Sequence, residues 1–123
     1  MVIARFALVA LDCPDPRALA AFYQSITGGE IRSATASDDW VRLQTGVGAD
    51  IGFQRDPSYQ APEWPNGTPQ QAHLDFDVPD LDEGERLVIR LGATKAETQP
   101  NPAEWRVFLD PAGHPFCLCL VKV

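Results

Sequence analysis

The sequence has few positively charged residues for its number of acidic ones, and it has no long hydrophobic run. The chain of 123 residues carries 10 Lys and Arg against 17 Asp and Glu, which gives a formal net charge of −7. That balance argues against an electrostatic footprint for nucleic acid and against docking on anionic lipid. No apolar run approaches the roughly 20 residues of a membrane-spanning helix, because Arg5 and Asp12 interrupt the first hydrophobic stretch. We therefore expect neither nucleic-acid nor membrane partners.

Cysteine is also scarce, and its spacing bears on the redox compartment. The chain has three cysteines, and Cys117 and Cys119 are too close in sequence to pair comfortably within one strand. Reduced thiols in a cytoplasmic protein are the simplest interpretation. The start, Met1-Val2-Ile3-Ala4-Arg5, has neither a charged lead-in nor a small-residue cleavage site, so we expect no signal peptide.

The chain contains an internal repeat with an offset of 65 residues, the distance from Asp12 to Asp77. The same D-x-P-D frame occurs at residues 12–15 and 77–80, and the ungapped shift also places Trp40 on Trp105. The matches fall at turns and along the apolar stripes of helices, which is typical of a duplicated unit. The sequence therefore predicts one domain over residues 1–123 that was built by duplication.

Each half of the repeat is predicted to follow the order β-α-β-β-β. The first module covers residues 1–58, the second covers 70–123, and a proline-rich linker covers 59–69. Asp15 and Asp80 are predicted N-caps, because a short acidic side chain can accept from the free amides of a first helical turn. Turn residues and hydrophobic periodicity predict helices at 16–27 and 81–91, and strands at 5–11, 30–34, 40–44, 49–55, 71–77, 94–98, 105–109 and 115–121.

Two stretches carry a family resemblance: residues 11–23, LDCPDPRALAAFY, and residues 110–118, DPAGHPFCL. They resemble the vicinal oxygen chelate superfamily of glyoxalases, bleomycin-resistance proteins and extradiol dioxygenases, and most of all its small bacterial glyoxalase-like domain branch. The resemblance covers about residues 3–122. It implies an α+β fold in which two tandem βαβββ modules form half-barrels around a cleft. It leaves the activity open, because this fold serves lyases, isomerases, dioxygenases and binding proteins.

The resemblance also implies where a divalent metal would be held, by residues of the first and fourth strand of each module. The corresponding positions of this chain are Leu8, Gly52, His73 and Cys117. Only His73 plainly ligates, and Cys117 could do so as a thiolate, whereas the other two side chains have no donor atom. Catalytic zinc takes about three protein ligands, and non-haem iron takes two histidines and a carboxylate. We therefore expect no cofactor, and a metal completed by a neighbour such as Asp75 is the alternative.

Strand alternation predicts which side chains accompany these positions in the cleft. His73 and Asp75 share one face of their strand, and Gln54 lies two residues beyond a degenerate ligand position. Tryptophans could cover the pocket, although a core role is the plainer interpretation of such residues. The candidate ligand-binding residues are Trp40, Gln54, Trp64, His73, Asp75, Trp105 and Cys117.

Three functions follow from this pattern. The first is a protein that binds a small molecule without a metal, as bleomycin-resistance proteins do. The second is a metal-dependent lyase, isomerase or dioxygenase of the glyoxalase type. The third is metal-free acid–base catalysis by His73, the candidate catalytic residue, with Asp75 or Cys117. We also expect a homodimer, because a symmetric partner would cover exposed strand edges.

Overall fold

The structure, a computed structural model, describes residues 6–33, 36–70 and 72–121. The chain divides into two compact units, Met1–Tyr59 and Gln60–Val123. Each unit contains one helix and one four-stranded sheet, so the predicted α+β fold of two tandem βαβββ modules is confirmed. Among the described residues, no helix combines the length and the apolar character that crossing a bilayer requires.

The first unit places one helix against a sheet in the order β1-β4-β3-β2. Its elements are β1 (Leu8–Cys13), α1 (Pro16–Thr27), β2 (Glu30–Ser33), β3 (Trp40–Gln44) and β4 (Asp50–Arg55). The outer pair β1 and β4 is parallel, and the other neighbours are antiparallel. The core lies between the helix and one face of the sheet, where Tyr23 stacks on Phe53 with ring centroids 5.9 Å apart.

Local chemistry fixes where α1 begins and ends. The Asp15 carboxylate accepts from the amide of Ala18 at 3.2 Å, which satisfies one free donor of the first turn. Pro16 follows at a position that has no need of an amide proton. Gly28, with φ +74°, then ends the helix in a conformation that side chains rarely adopt.

The second unit repeats this plan with a sheet in the order β5-β8-β7-β6. Its elements are β5 (Leu74–Val78), α2 (Leu81–Arg90), β6 (Thr94–Lys95), β7 (Trp105–Leu109) and β8 (Pro115–Leu120). The Asp80 carboxylate caps α2 by accepting from the amide of Glu83 at 3.0 Å, as predicted. Phe116 is fully buried on the helix-facing side of the sheet and stacks on Phe108 with ring centroids 5.7 Å apart.

The strand registers of the two sheets agree with the sequence repeat. Ala10 lies opposite Gly52 in the first sheet, and Asp75 lies opposite Cys117 in the second. The shift that relates these two pairs also relates the pairing of β3 with β4 to that of β7 with β8. The internal repeat is therefore visible in the hydrogen-bonding register as well as in the sequence. It relates β1, β3 and β4 of the first sheet to β5, β7 and β8 of the second.

The predicted element ends need several corrections. Strand β1 runs to Cys13 rather than to residue 11, and its predicted start at Arg5 lies outside the described residues, as do Ala34 and Gln71. Strand β5 begins after His73 rather than before it.

The largest correction concerns β6, which has two residues instead of the five predicted. The Gln99 side chain replaces its missing part. Its amide nitrogen donates to the Val107 carbonyl at 2.8 Å, and its oxygen accepts from the Val107 amide at 2.9 Å. A side-chain amide thus satisfies the backbone groups that a longer strand would have paired.

Candidate functional site

The second unit contains a pocket of about 340 Å³ on the sheet face that points away from α2. A volume of this size lies within the range of small-molecule sites. Aromatic, aliphatic, sulfur and polar side chains line it: Trp64, Gln70, His73, Asp75, Trp105, Val107, Pro115, Cys117 and Cys119.

Strand alternation places the apolar wall. On β8, Pro115 and Cys117 point to the pocket while Phe116 between them points to the core. Val107 of β7 packs with Cys117 and Ala96 in a small buried cluster. Trp64 and Trp105 are partly buried against that cluster. The residues of this wall therefore hold one another in place through their packing contacts.

Three side chains with proton-carrying or metal-ligating atoms meet at one end of the pocket. His73 Nε2 lies 3.2 Å from Asp75 Oδ1. The potential ligand atoms of His73, Asp75 and Cys117 all lie within 4.8 Å of one another. Strand alternation predicted that His73 and Asp75 share a face, the resemblance implied Cys117 as a further ligand position, and the structure brings the three together.

Cys117 is held in its neutral form by this environment. Its side chain is buried, and that burial, together with the neighbouring Asp75 carboxylate, raises the pKa of the thiol to about 12. The thiolate is the nucleophilic form of cysteine, so a thiol with this pKa is a poor nucleophile. Burial also raises the pKa of Cys119.

Gln70 is the pocket residue that sequence reasoning missed. Its side chain lines the pocket, yet its Oε1 atom is buried and, among the described residues, has no hydrogen-bond partner. An unpaired buried carbonyl costs roughly 1–3 kcal/mol. No periodic pattern could have identified it, because it lies outside the strands, after the proline-rich segment.

The equivalent face of the first unit is closed. A Cβ atom added to Gly52 would lie 2.7 Å from Cζ2 of Trp40 and 3.2 Å from Cδ1 of Leu8, so the indole and the leucine cover that position. On the same face, Arg42 Nε donates to Asp50 Oδ2 at 2.8 Å. The side chains of this face therefore satisfy one another.

The predicted site residues are divided between the two units. Trp40 and Gln54 belong to the first unit, where they pair across β3 and β4, and Gln54 is exposed. The other five line the pocket of the second unit: Trp64, His73, Asp75, Trp105 and Cys117. Trp64 comes from the segment predicted as a linker, which from Gln60 onwards belongs to the second unit.

The metal that the resemblance implies does not match this arrangement. Its four-position pattern requires two ligands from each unit, and the first unit offers Leu8 and Gly52, whose side chains have no donor atoms, with Trp40 over Gly52. The remaining set of His73, Asp75 and Cys117 mixes nitrogen, oxygen and sulfur. It differs from the oxygen-rich sets that Mn and Mg prefer.

Comparison with known families gives one clear match. The model of the glyoxalase-like domain family matches residues 8–119 of the chain. None of the curated proteins compared with the chain matches it significantly.

Solved structures share the fold at low sequence identity. A glyoxalase/bleomycin resistance protein/dioxygenase family enzyme from Burkholderia phytofirmans is 24% identical, with a TM-score of 0.72 over 97% of this chain and 100% of that one. The fosfomycin resistance protein FosX from Mesorhizobium loti is 14% identical, with a TM-score of 0.70 over 100% and 95%. FosX from Listeria monocytogenes, solved as a point variant with Mn(II) and a dihydroxypropylphosphonic acid, is 21% identical, with a TM-score of 0.70 over 97% and 90%.

Proposed function

The chain belongs to the glyoxalase-like domain family, and we propose that it binds a small molecule in the pocket of its second unit without requiring a metal. One observation carries the proposal. A single sheet face presents a pocket of about 340 Å³ that combines two tryptophans with the His73–Asp75 pair. Apolar walls with a few convergent polar groups are the usual composition of a ligand site.

The metal-independent part of the proposal depends on the first unit. Leu8 and Gly52 supply no ligand, and the Trp40 indole fills the space above Gly52. Within the second unit, His73, Asp75 and Cys117 supply one nitrogen, one oxygen and one sulfur atom, which is neither the two-histidine and carboxylate set of non-haem iron nor an oxygen-rich set. These features favour binding by shape, hydrogen bonds and aromatic contact.

The test is a thermal-shift screen of a fragment library that contains anions, neutral molecules and cations, run with and without EDTA. A ligand that binds only the folded state stabilises it by about 2.7 kcal/mol at 100 times its Kd. We expect some fragments to raise the melting temperature equally in both buffers. The rise should be smaller in His73→Ala and unchanged in Ser25→Ala, an exposed polar control on α1 of the first unit.

Two results would contradict the proposal. If no fragment of any charge changes the melting temperature, the pocket is not a binding site. If EDTA lowers the melting temperature of the wild type but not of His73→Ala, a metal is part of the folded protein, since metal binding contributes to folding energy.

Metal-free acid–base catalysis is the second candidate, and the His73–Asp75 contact of 3.2 Å favours it. A carboxylate beside a histidine orients the ring, and a positioned general acid or base contributes about 10²- to 10⁴-fold in rate. Fragments that bind should then be converted to product by the wild type and not by His73→Gln. If the fragments are unchanged after prolonged incubation with the wild type, the pocket binds them without catalysis.

The homodimer expected from the sequence remains a separate proposal. Strands β2 and β6 lie at the edges of their sheets, and an exposed edge favours association. Light scattering at micromolar concentration should give twice the mass of one chain. A value near 13.5 kDa would contradict the dimer.

A further inference from the structure

We propose that the second-unit pocket is selective for a compact planar organic cation, such as an amidinium or a protonated heteroaromatic base. The inference rests on the proposed function, and it adds the charge and shape of the ligand. It follows from three features of the pocket: its charged groups, its unpaired acceptor and its aromatic walls.

The charged groups of the pocket have one sign. Asp75 is the only carboxylate among the described lining residues, and none of these residues is lysine or arginine. Only His73 could offset the charge, and only when it is protonated. The Cys117 thiol stays neutral, because burial and the Asp75 carboxylate raise its pKa to about 12. An anion entering the pocket would meet the Asp75 carboxylate with no fixed positive charge to receive it.

The polar groups available to a ligand are also acceptors. The Asp75 side chain is 58% exposed, and a carboxylate can accept several hydrogen bonds, so it can serve a ligand as well as its neighbours His73 and Cys117. The buried Oε1 of Gln70 has no partner among the described residues. The last side-chain torsion of glutamine is broad, so a modest rotation would present this oxygen to a donor on the ligand. A ligand rich in N–H groups would satisfy both acceptors.

The walls select a flat molecule. Trp64 and Trp105 both line the pocket, with Val107 and Pro115 completing the apolar surface. Tryptophan faces attract cations more strongly than other aromatic side chains and also stack on planar rings. The combination of indoles with an exposed carboxylate therefore favours a planar cation over an aliphatic or anionic molecule.

The experiment compares three probes that differ mainly in charge: benzamidine, benzamide and benzoate. Isothermal titration calorimetry with the whole chain should give benzamidine at least a tenfold lower Kd than benzamide, and no measurable binding of benzoate. Asp75→Asn should weaken benzamidine at least tenfold and change benzamide less than twofold. Glu97→Gln, at an exposed carboxylate of the second unit outside the pocket lining, is the control and should leave all three probes unchanged.

A second variant tests the glutamine. Gln70→Leu keeps a side chain of similar size and removes the acceptor without adding charge, so benzamidine should bind more weakly than to the wild type. Unchanged benzamidine affinity would show that the Gln70 oxygen does not contact the ligand. Melting curves establish that each variant is folded, and Asp75→Asn should remain so because its side chain is largely exposed.

The outcomes separate this inference from the proposed function. Benzoate binding as tightly as benzamidine would overturn it, as would equal weakening of all three probes by Asp75→Asn. If the probes fail while neutral or anionic fragments from the screen bind in the pocket, the charge preference is wrong and the binding function stands. If no fragment binds at all, the proposed function itself is wrong.

Discussion

The two units share a backbone fold and differ in the side chains on the sheet face that points away from the helix. At equivalent positions, Leu8 of the first unit is replaced by His73 in the second, and Gly52 is replaced by Cys117. Where the first unit has an ion pair between Arg42 and Asp50, the second has an apolar wall. The first face is thus covered by its own side chains, whereas the second face forms a pocket lined by Gln70, whose buried side-chain oxygen has no partner among the described residues. The backbone register is therefore the same in the two units, whereas the side chains on this face differ in chemistry.

The two equivalent tryptophans show that a single neighbouring residue can determine whether a sheet face is covered or forms a pocket. Trp40 and Trp105 occupy the same register position. Trp40 lies over the sheet because Gly52, on the adjacent strand, has no side chain beneath it. At the equivalent place Cys117 fills that space, and Trp105 lines the pocket instead. The residue on the neighbouring strand therefore decides whether the indole closes the face or borders a cavity.

The largest effect is expected where the two units are most alike, in their cores. Leu43 and Phe108 are equivalent and both are fully buried. Leu43→Ala should lower the free energy of unfolding by about 2–5 kcal/mol and Phe108→Ala by about 3–5 kcal/mol, through lost contacts and a cavity. Urea unfolding measures both. A loss below about 1 kcal/mol at either position would show that this unit is not packed around that residue.

A smaller effect should follow from filling the closed face of the first unit. Gly52→Ala places a methyl group against the Trp40 indole, and overpacking costs about 1–3 kcal/mol. The double variant with Trp40→Ala should lose little more than Trp40→Ala alone, because the clash is gone. Additive losses in a double-mutant cycle would contradict the contact. Cys117→Ala, at the equivalent place, removes a packing contact and creates no clash, so Trp105→Ala should not relieve its cost in this way.

The thiol of the second unit gives a pH-dependent test. Its folded-state pKa is raised from 9.0 to about 12, so the folded state favours the neutral thiol. The resulting stabilisation is complete below pH 9 and is lost as the pH rises towards and through 12. Between these values, the wild type should lose more stability than Cys117→Ala. Parallel stability–pH curves for the two proteins would show that Cys117 titrates normally.

The smallest effect is expected for the ion pair that distinguishes the first face. The Arg42 side chain is 38% exposed and the Asp50 side chain 18% exposed, so water and salt screen their attraction. Asp50→Asn should therefore cost no more than about 1 kcal/mol at low salt, and less at 1 M NaCl. A larger, salt-independent loss in urea unfolding would indicate that Asp50 has a packing role.

Periodicity and turn chemistry predicted the helices, the order of elements along each module and the shared face of His73 and Asp75. They failed for Gln70 and Gln99, because each acts from outside the regular strands through a side-chain amide that leaves no periodic signal. They also could not distinguish Trp40 from Trp105, since the difference arises from the side chain beneath each indole. The ends of β1 and β6 depend on pairing partners that are distant in sequence.

Tryptophan fluorescence tests the central claim most directly, because two tryptophans line the pocket and the third lies in the first unit. Titration with benzamidine should change the emission of the wild type and of Trp40→Phe to the same extent and with the same Kd. The change should shrink in Trp64→Phe and in Trp105→Phe. A response that disappears in Trp40→Phe and persists in the other two variants would place the ligand on the first unit and contradict the account.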